Sequence, residues 1–301
     1  MTNIRNLAAF ICARNSESQQ CGYVGSTLDD IIHDLSDGMA EASFVLYEGE
    51  EIRGAIILDT YDVGGGQEDI EVWGPYYSAR PEDELQLLFR YLSEAAGSAA
   101  IRYIHLFTRA DNVPLIEYAA RYRTEKVRTH YHYSMDTALP LSNSSYADLS
   151  IVPVTEPESE WLKQIIELHN QGFQGATLTQ EDITAEIEDS GNSDYDIYAV
   201  LNEGSFIGYI IVRRNVLTGI LHLEYICIRP DERSRGTGRK LIAYLAETYR
   251  GLGYTRIGLD VSEENEAAVR FYDKNGFNRD SVMKHIIIGG RMEPAVIVRK
   301  Y

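Results

Sequence analysis

Cysteine is scarce in this chain: Cys12, Cys21 and Cys227 are the only three in 301 residues, and no CxxC or HxxxH pair accompanies them. That excludes a disulfide framework and a zinc site of ordinary ligand spacing, and it fits a reducing, cytoplasmic setting. Long apolar runs are missing too. No stretch approaches the roughly 18–20 residues that a membrane-spanning helix needs, so no membrane partner is expected. The opening MTNIRNLAAFICARNSE holds a short apolar run without a small-residue cleavage pattern, and no signal peptide is read there. Positive charge is the deepest deficit. Lys and Arg total 28 against 46 Asp and Glu, which leaves a net charge of −18. Such a field repels phosphate polymers, so nucleic acid is not the expected partner, and it draws in cations, amines among them.

What is present reads as an ordinary globular chain, 44% hydrophobic and 25% charged, long enough for about two domains. The chain also repeats itself. VLYEGEEIRGAII near residue 45 and VLNEGSFIGYII near residue 200 both read as strand, Glu-Gly turn, strand. A constant offset of 153 residues then lays LLFRYLSE (87–94) on KLIAYLAE (240–247), and YIHLFTRADN (103–112) on RIGLDVSEEN (256–265). Two copies of one α/β domain follow, 1–145 and 146–301, joined at the polar stretch LSNSSYADLS.

Periodicity outlines the second copy. WLKQIIELHNQGF has helical spacing, and Thr179 with Asp182 forms a capping box before a second short helix. YAVLNE, FIGYIIVRR and LHLEYICIR are strands, the last stopped by Pro230. Leu241, Ile242, Leu245 and Tyr249 mark an amphipathic helix over about 237–250, ended by Gly251 or Gly253. RIGLDV is a strand, ENEAAVRFYDKN a helix, and SVMKHIII and PAVIVRK two terminal strands around Gly289–Gly290. The fold class is α/β (α+β): a mixed, mostly antiparallel sheet flanked by helices.

Inside this acidic chain lies a basic knot, ERSRGTGRKL (232–241). It lacks the GxxxxGK[ST] spacing of a Walker A loop, and Leu241 stands where a dinucleotide loop needs its third glycine. A solvated surface loop is the plain alternative. The surrounding order is strand, RSRGTGRKL opening a helix, strand, and then Asn265, Phe271-Tyr272 and Gly276-Phe277. This set resembles the GNAT family, the Gcn5-related N-acyltransferases, whose [RQ]xxGx[GA] signature is met by Arg233, Gly236 and Gly238. The resemblance spans roughly residues 150–280.

The resemblance implies acetyl-CoA as cosubstrate, with its pyrophosphate at the helix start. Glycines allow close backbone approach there, and first-turn N–H groups lack helical partners. The residues carried over as cofactor-binding are Ile226, Cys227, Ile228, Arg233, Arg235, Gly236, Thr237, Gly238, Arg239, Lys240, Asn265 and Phe271. Cys227 reads as a packed strand residue, an acyl-carrying thiol being the other reading. Tyr272 matches the family's general acid. Strand alternation puts His222, Glu224 and Ile226 on one face; His222, Glu224 or water is then the base. No metal is implied.

Under the 153-residue offset the first copy has lost these parts. Asp83 and Leu85 replace Gly236 and Gly238, Pro75 replaces Ile228, and Ala119 replaces Tyr272, while Glu82, Asp83 and Glu84 repel a pyrophosphate. The N-terminal copy is therefore not expected to bind acetyl-CoA. The whole chain reads as an acetyl-CoA-dependent N-acetyltransferase acting by direct transfer in a ternary complex, with a small-molecule or peptide amine as acceptor. The acidic run holding Glu181, Asp182, Glu186, Glu188 and Asp189 favours a cationic amine. A non-catalytic acyl-CoA-binding regulator and a purely structural tandem module are the competing readings, and a homo-oligomer is compatible with each.

Overall fold

Two Glu-Gly turns set the frame. Gly49 (φ 64°) and Gly204 (φ 78°) both take left-handed backbone, which glycine adopts at little cost. They close antiparallel hairpins of β1 (Ser43–Glu48) with β2 (Glu51–Gly64), and of two strands in the second copy. A computed structural model describes residues 3–25, 27–97, 100–139, 145–173, 177–188, 194–216 and 218–295. Most of the expected strand PAVIVRK, residues 141–144 of the polar joint, and Asp189 lie outside these.

The chain forms two compact units that do not follow sequence order. Unit 1 comprises Met1–Tyr131, Ser262–Glu264 and Ser281–Tyr301, and unit 2 comprises His132–Val261 and Asn265–Asp280. The units are thus not cut at 145/146, because each receives a strand end from the other half of the sequence.

In unit 1, helices α1 (Ile4–Asn15) and α2 (Leu28–Asp34) precede the hairpin, and β3 (Gln67–Tyr77) pairs antiparallel with β2. Helix α3 (Pro81–Gly97) leads to β4 (Ile101–Arg109), parallel to β3, and α4 (Val113–Ala119) follows. Alternation along β2 decides the layering. Ala55 and Ile57 face α1 and α2, while Ile56 and Leu58 face α3 and α4. All four are buried, so the sheet has helices on both faces.

Unit 2 opens with the end of β5 (Thr124–Asp136) and then β6 (Leu149–Pro153), α5 (Glu160–Gly172) and α6 (Gln180–Glu188). Asp182 and Thr179 cap α6 with three mutual hydrogen bonds, the capping box expected from sequence. Strands β7 (Tyr195–Asn202), β8 (Ser205–Asn215) and β9 (Ile220–Ile228) form a meander, followed by α7 (Thr237–Gly251), β10 (Arg256–Ser262) and α8 (Glu266–Lys274). Leu241, Ile242, Leu245 and Tyr249 are buried, which bears out the stripe read from sequence. The strand order in this unit is β5-β10-β9-β8-β7-β6.

Strand β11 (Asn278–Gly289) corrects one expectation. SVMKHIII does not close the second copy's sheet. From Met283 to Gly289 it pairs antiparallel with β4 in unit 1, and Ile286 and Ile288 enter the core there. In exchange, β5 lies beside β10 in unit 2, where Thr137 N–H donates to the Thr255 carbonyl at 3.0 Å. Local periodicity fixes that a strand forms; the exchange is decided by tertiary packing, which carries no local signal.

Candidate active site

The site of unit 2 begins where two strands part. Parallel pairing of β10 with β9 covers Arg256–Ile220, Ile257–Leu221 and Gly258–His222, and stops there. On the other side, β8 pairs with β9 through to Gly208–Ile228, but Ile211 opposes Tyr225 while Val212 opposes Leu223. Glu224 is therefore the extra residue of a β-bulge, two residues past the last β9–β10 pair. A bulge turns the strand and shifts the side-chain alternation by one. Alternation consequently does not run unbroken from His222 to Ile226, as the sequence reading assumed. Beyond the bulge, Tyr225 and Cys227 pack on the α5–α6 core.

Four charged side chains converge on the bulge. His222 Nε2 lies 3.2 Å from Asp260 Oδ2, and its Nδ1 lies 3.2 Å from Glu224 Oε1, the latter contact lacking hydrogen-bond alignment. Arg213 Nε donates to the same Glu224 oxygen at 2.9 Å. The second oxygen of Asp260 meets His132 Nδ1 at 3.1 Å. Burial opposes a charge on His222, but Asp260 and Glu224 outweigh it and push its pKa up to about 9. Burial likewise opposes ionisation of Glu224 and Asp260. Their cationic neighbours win: His222 and Arg213 hold Glu224 below the usual carboxylate range, and His132 and His222 hold Asp260 well below it.

The basic knot forms the other end of the cleft. Gly236 is the N-cap of α7 in left-handed conformation (φ 83°), and no side chain caps this helix. A helix start without a side-chain cap is a setting suited to a phosphate. A Cβ on Gly238 would come 2.9 Å from the Phe271 ring, so this glycine lets α7 and α8 approach. Thr237 is buried beside it. Arg233 Nε donates to the Ile228 carbonyl at 2.8 Å, tying the loop to the end of β9. Arg235 pairs with Glu232 and Lys240 with Asp148, so two of the carried-over cations already hold carboxylates of this chain. Ile226, Cys227 and Ile228 form the β9 end that faces the gap, and a Cβ on Gly208 would lie 2.4 Å from the Cys227 carbonyl. The Cys227 thiol sits in the core, and burial raises its pKa against the pull of Arg233. That favours the packed-residue reading over an acyl-carrying thiol.

Asn265 caps α8, its side chain accepting from the Ala268 N–H at 3.2 Å. Tyr272 follows two turns on, packed against Phe271, Phe277 and Tyr133, with 7% of its surface exposed. Its hydroxyl makes no hydrogen bond to another described residue. Burial alone raises its pKa, so the phenol stays protonated.

The acetyltransferase (GNAT) family model matches residues 162–277. That stretch of the chain is similar to the GNAT family. A curated relative, the 5-NmdU N-acetyltransferase of Pseudomonas phage PaMx11, is 28% identical over 120 residues, covering 38% of this chain and 84% of that one. The GCN5-related N-acetyltransferase from Sphaerobacter thermophilus matches in structure with TM-score 0.71 at 13% identity, over 97% of this chain and 94% of that one. A tandem GNAT protein from the clavulanic acid biosynthesis pathway matches with TM-score 0.70 at 13% identity, over 95% and 94%. The acetyltransferase class follows for residues 162–277, and the structural likenesses show the fold over nearly the whole chain.

The first copy shows the same parting of strands, with a different occupant. Pairing of β3 and β4 ends at Val72–Leu106. Gly22 N–H donates to the Phe107 carbonyl at 2.9 Å, and Arg109 N–H donates to the Gln20 carbonyl at 3.2 Å. The Gln19 side-chain amide pairs with both backbone groups of Tyr77, at 3.0 and 2.9 Å. At the start of α3, the buried Glu84 carboxylate accepts from Ser78 N–H, the Ser78 hydroxyl and Arg80 N–H. The sequence reading missed this filling and also missed His132, Arg213 and Asp260. One signal for His132 was available: the 153-residue offset lays it on His285.

Proposed function

We propose that unit 2 transfers an acetyl group from acetyl-CoA to a primary amine directly, in a ternary complex. One observation carries this: the β9–β10 pairing ends at His222, and the gap that opens there leads to the uncapped, left-handed Gly236 start of α7. Free strand-end groups suit an amide-bearing pantetheine chain, and the helix start suits its pyrophosphate. Bound there, acetyl-CoA would supply the acetyl group as a thioester. The Tyr272 hydroxyl, kept protonated by burial, gives its proton to the departing thiolate. His222 takes the proton of the attacking amine when neutral, a state it reaches as pH rises through about 9. Glu224 and Asp260 hold the imidazole from both sides.

Only one unit of the chain carries this activity. In unit 1, Gln19–Gly22 and Glu84 already satisfy the groups a coenzyme would meet. The acceptor is a small-molecule or peptide amine, and the acidic surface favours a cationic one. The 5-NmdU named in the phage relative belongs in the test panel. Calorimetry with coenzyme A is expected to give one site per chain, and acetyl-CoA consumption is expected to depend on an amine. Tight binding without transfer to any amine, or two sites per chain, would overturn the proposal.

A further inference from the structure

Asp260 has two histidine partners, and one of them belongs to the other half of the sequence. His132 lies on β5, which continues the N-terminal copy in sequence but stands beside β10 in unit 2. Its Nδ1 lies 3.1 Å from Asp260 Oδ1, leaving Oδ2 for His222 Nε2 at 3.2 Å. His132 packs directly beside β10, since a Cβ on Gly258 would meet its Cε1 at 3.7 Å, ordinary van der Waals contact. The exchange of strands therefore does more than close a sheet.

We propose that His132 is a positioning residue for the active site of the second copy, acting through Asp260 to fix the His222 imidazole against Glu224. This rests on the acetyltransferase reading of unit 2 for its kinetic consequences, but not for its geometry. A carboxylate with one oxygen held by His132 cannot rotate freely, so it presents the other oxygen to His222 along one direction. The charged groups around His222 come from three strands: Glu224 on β9, Asp260 on β10, and Arg213 on β8 by way of Glu224. His132 adds a fourth strand, β5, and reaches His222 by way of Asp260.

The sign of the effect follows. His132 shares the negative charge of Asp260, so its removal leaves that charge to His222 alone and stabilises the imidazolium. His132→Leu is then expected to raise the His222 titration midpoint, read by NMR of its ring protons in the full-length protein. The alkaline limb of the kcat profile should move up with it; a midpoint one pH unit higher costs about tenfold in kcat at pH 8. His132→Asn, whose amide nitrogen stands about where Nδ1 stands, should restore most of both. Asp260→Asn should move the His222 midpoint the opposite way. Unchanged His222 titration in His132→Leu, with an unaltered pH profile, overturns the proposal. Should His132→Leu fail to fold, His132→Phe, which keeps a ring but offers Asp260 no nitrogen, decides it by the same titration. A shifted His222 midpoint in a protein that acetylates no amine would instead sink the acetyltransferase reading and leave the relay standing.

Discussion

Tyr272→Phe separates chemistry from packing because it deletes one oxygen and nothing else. The ring contacts with Phe271, Phe277 and Tyr133 all survive the change. The hydroxyl has no hydrogen-bond partner among the described residues, so its loss removes no internal bond, and stability should hold or rise slightly. A general acid contributes about 10²- to 10⁴-fold, which is roughly 2.7–5.4 kcal/mol at 1.36 kcal/mol per decade. The variant should therefore lose two or more orders of magnitude in kcat while its coenzyme A affinity and melting temperature stay put. Release of coenzyme A thiol, followed with a thiol reagent over a range of acetyl-CoA concentrations, gives kcat. Titration and scanning calorimetry give the other two quantities. A kcat within about twofold of the parent would remove Tyr272 from the mechanism. A fall in kcat matched by a fall in melting temperature would assign it to packing instead.

His222→Gln should abolish the alkaline rise of kcat/KM that an imidazole titrating near pH 9 produces, measured with one acceptor so that the amine's own titration cancels. The same raised pKa stabilises the fold fully below about pH 6.5 and loses its effect as pH climbs through 9, so the parent's melting temperature should drop across that interval more than the variant's. Gly236→Ala meets no atom within 4 Å, so its whole cost is backbone strain at φ 83°, about 1–2 kcal/mol, seen as a lower melting temperature and weaker coenzyme A binding. A fragment of residues 146–301 lacks β5 and with it His132 and the strand beside β10. It should be poorly soluble or inactive, and a stable, fully active fragment would show the strand exchange to be dispensable.

The sequence reading reached the elements but not the assembly. Helix α7, its stripe, the capping box at Thr179 and the glycine turns are all local: each depends on residues within a few positions, and each is found where expected. The Arg233–Gly238 loop was legible for the same reason. The bulge at Glu224 was not, because one extra residue in a strand leaves no mark in an apolar pattern already broken by His222 and Glu224. Nor was the charged cluster around it. His222 and Glu224 are neighbours in sequence, whereas Asp260 and His132 reach them only through strand order, over separations of 38 and 90 positions from His222. His222 itself changes character as a result. An isolated histidine titrates near neutrality, but between two carboxylates this one stays charged well above it.

The first copy shows how such a fold meets its own backbone groups. Splayed strands and a bare helix start leave backbone donors and acceptors that a coenzyme would satisfy, and each such group left unmet in the interior costs about 1–3 kcal/mol. Unit 1 meets them from within. Gln19 answers both backbone groups of Tyr77, Gly22 and Gln20 answer β4, and Glu84 supplies an anion to the N–H groups of Ser78 and Arg80. In sequence the run Glu82-Asp83-Glu84 looked like simple repulsion of a pyrophosphate. The 153-residue offset lays Glu84 on Thr237, and in the structure its carboxylate accepts from the Ser78 and Arg80 N–H groups, while Glu82 turns outward to pair with Arg121. The acidic residues therefore do not merely exclude a ligand. Glu82 and Glu84 are paired within the chain, and polar groups already paired offer a coenzyme little to gain by displacing them.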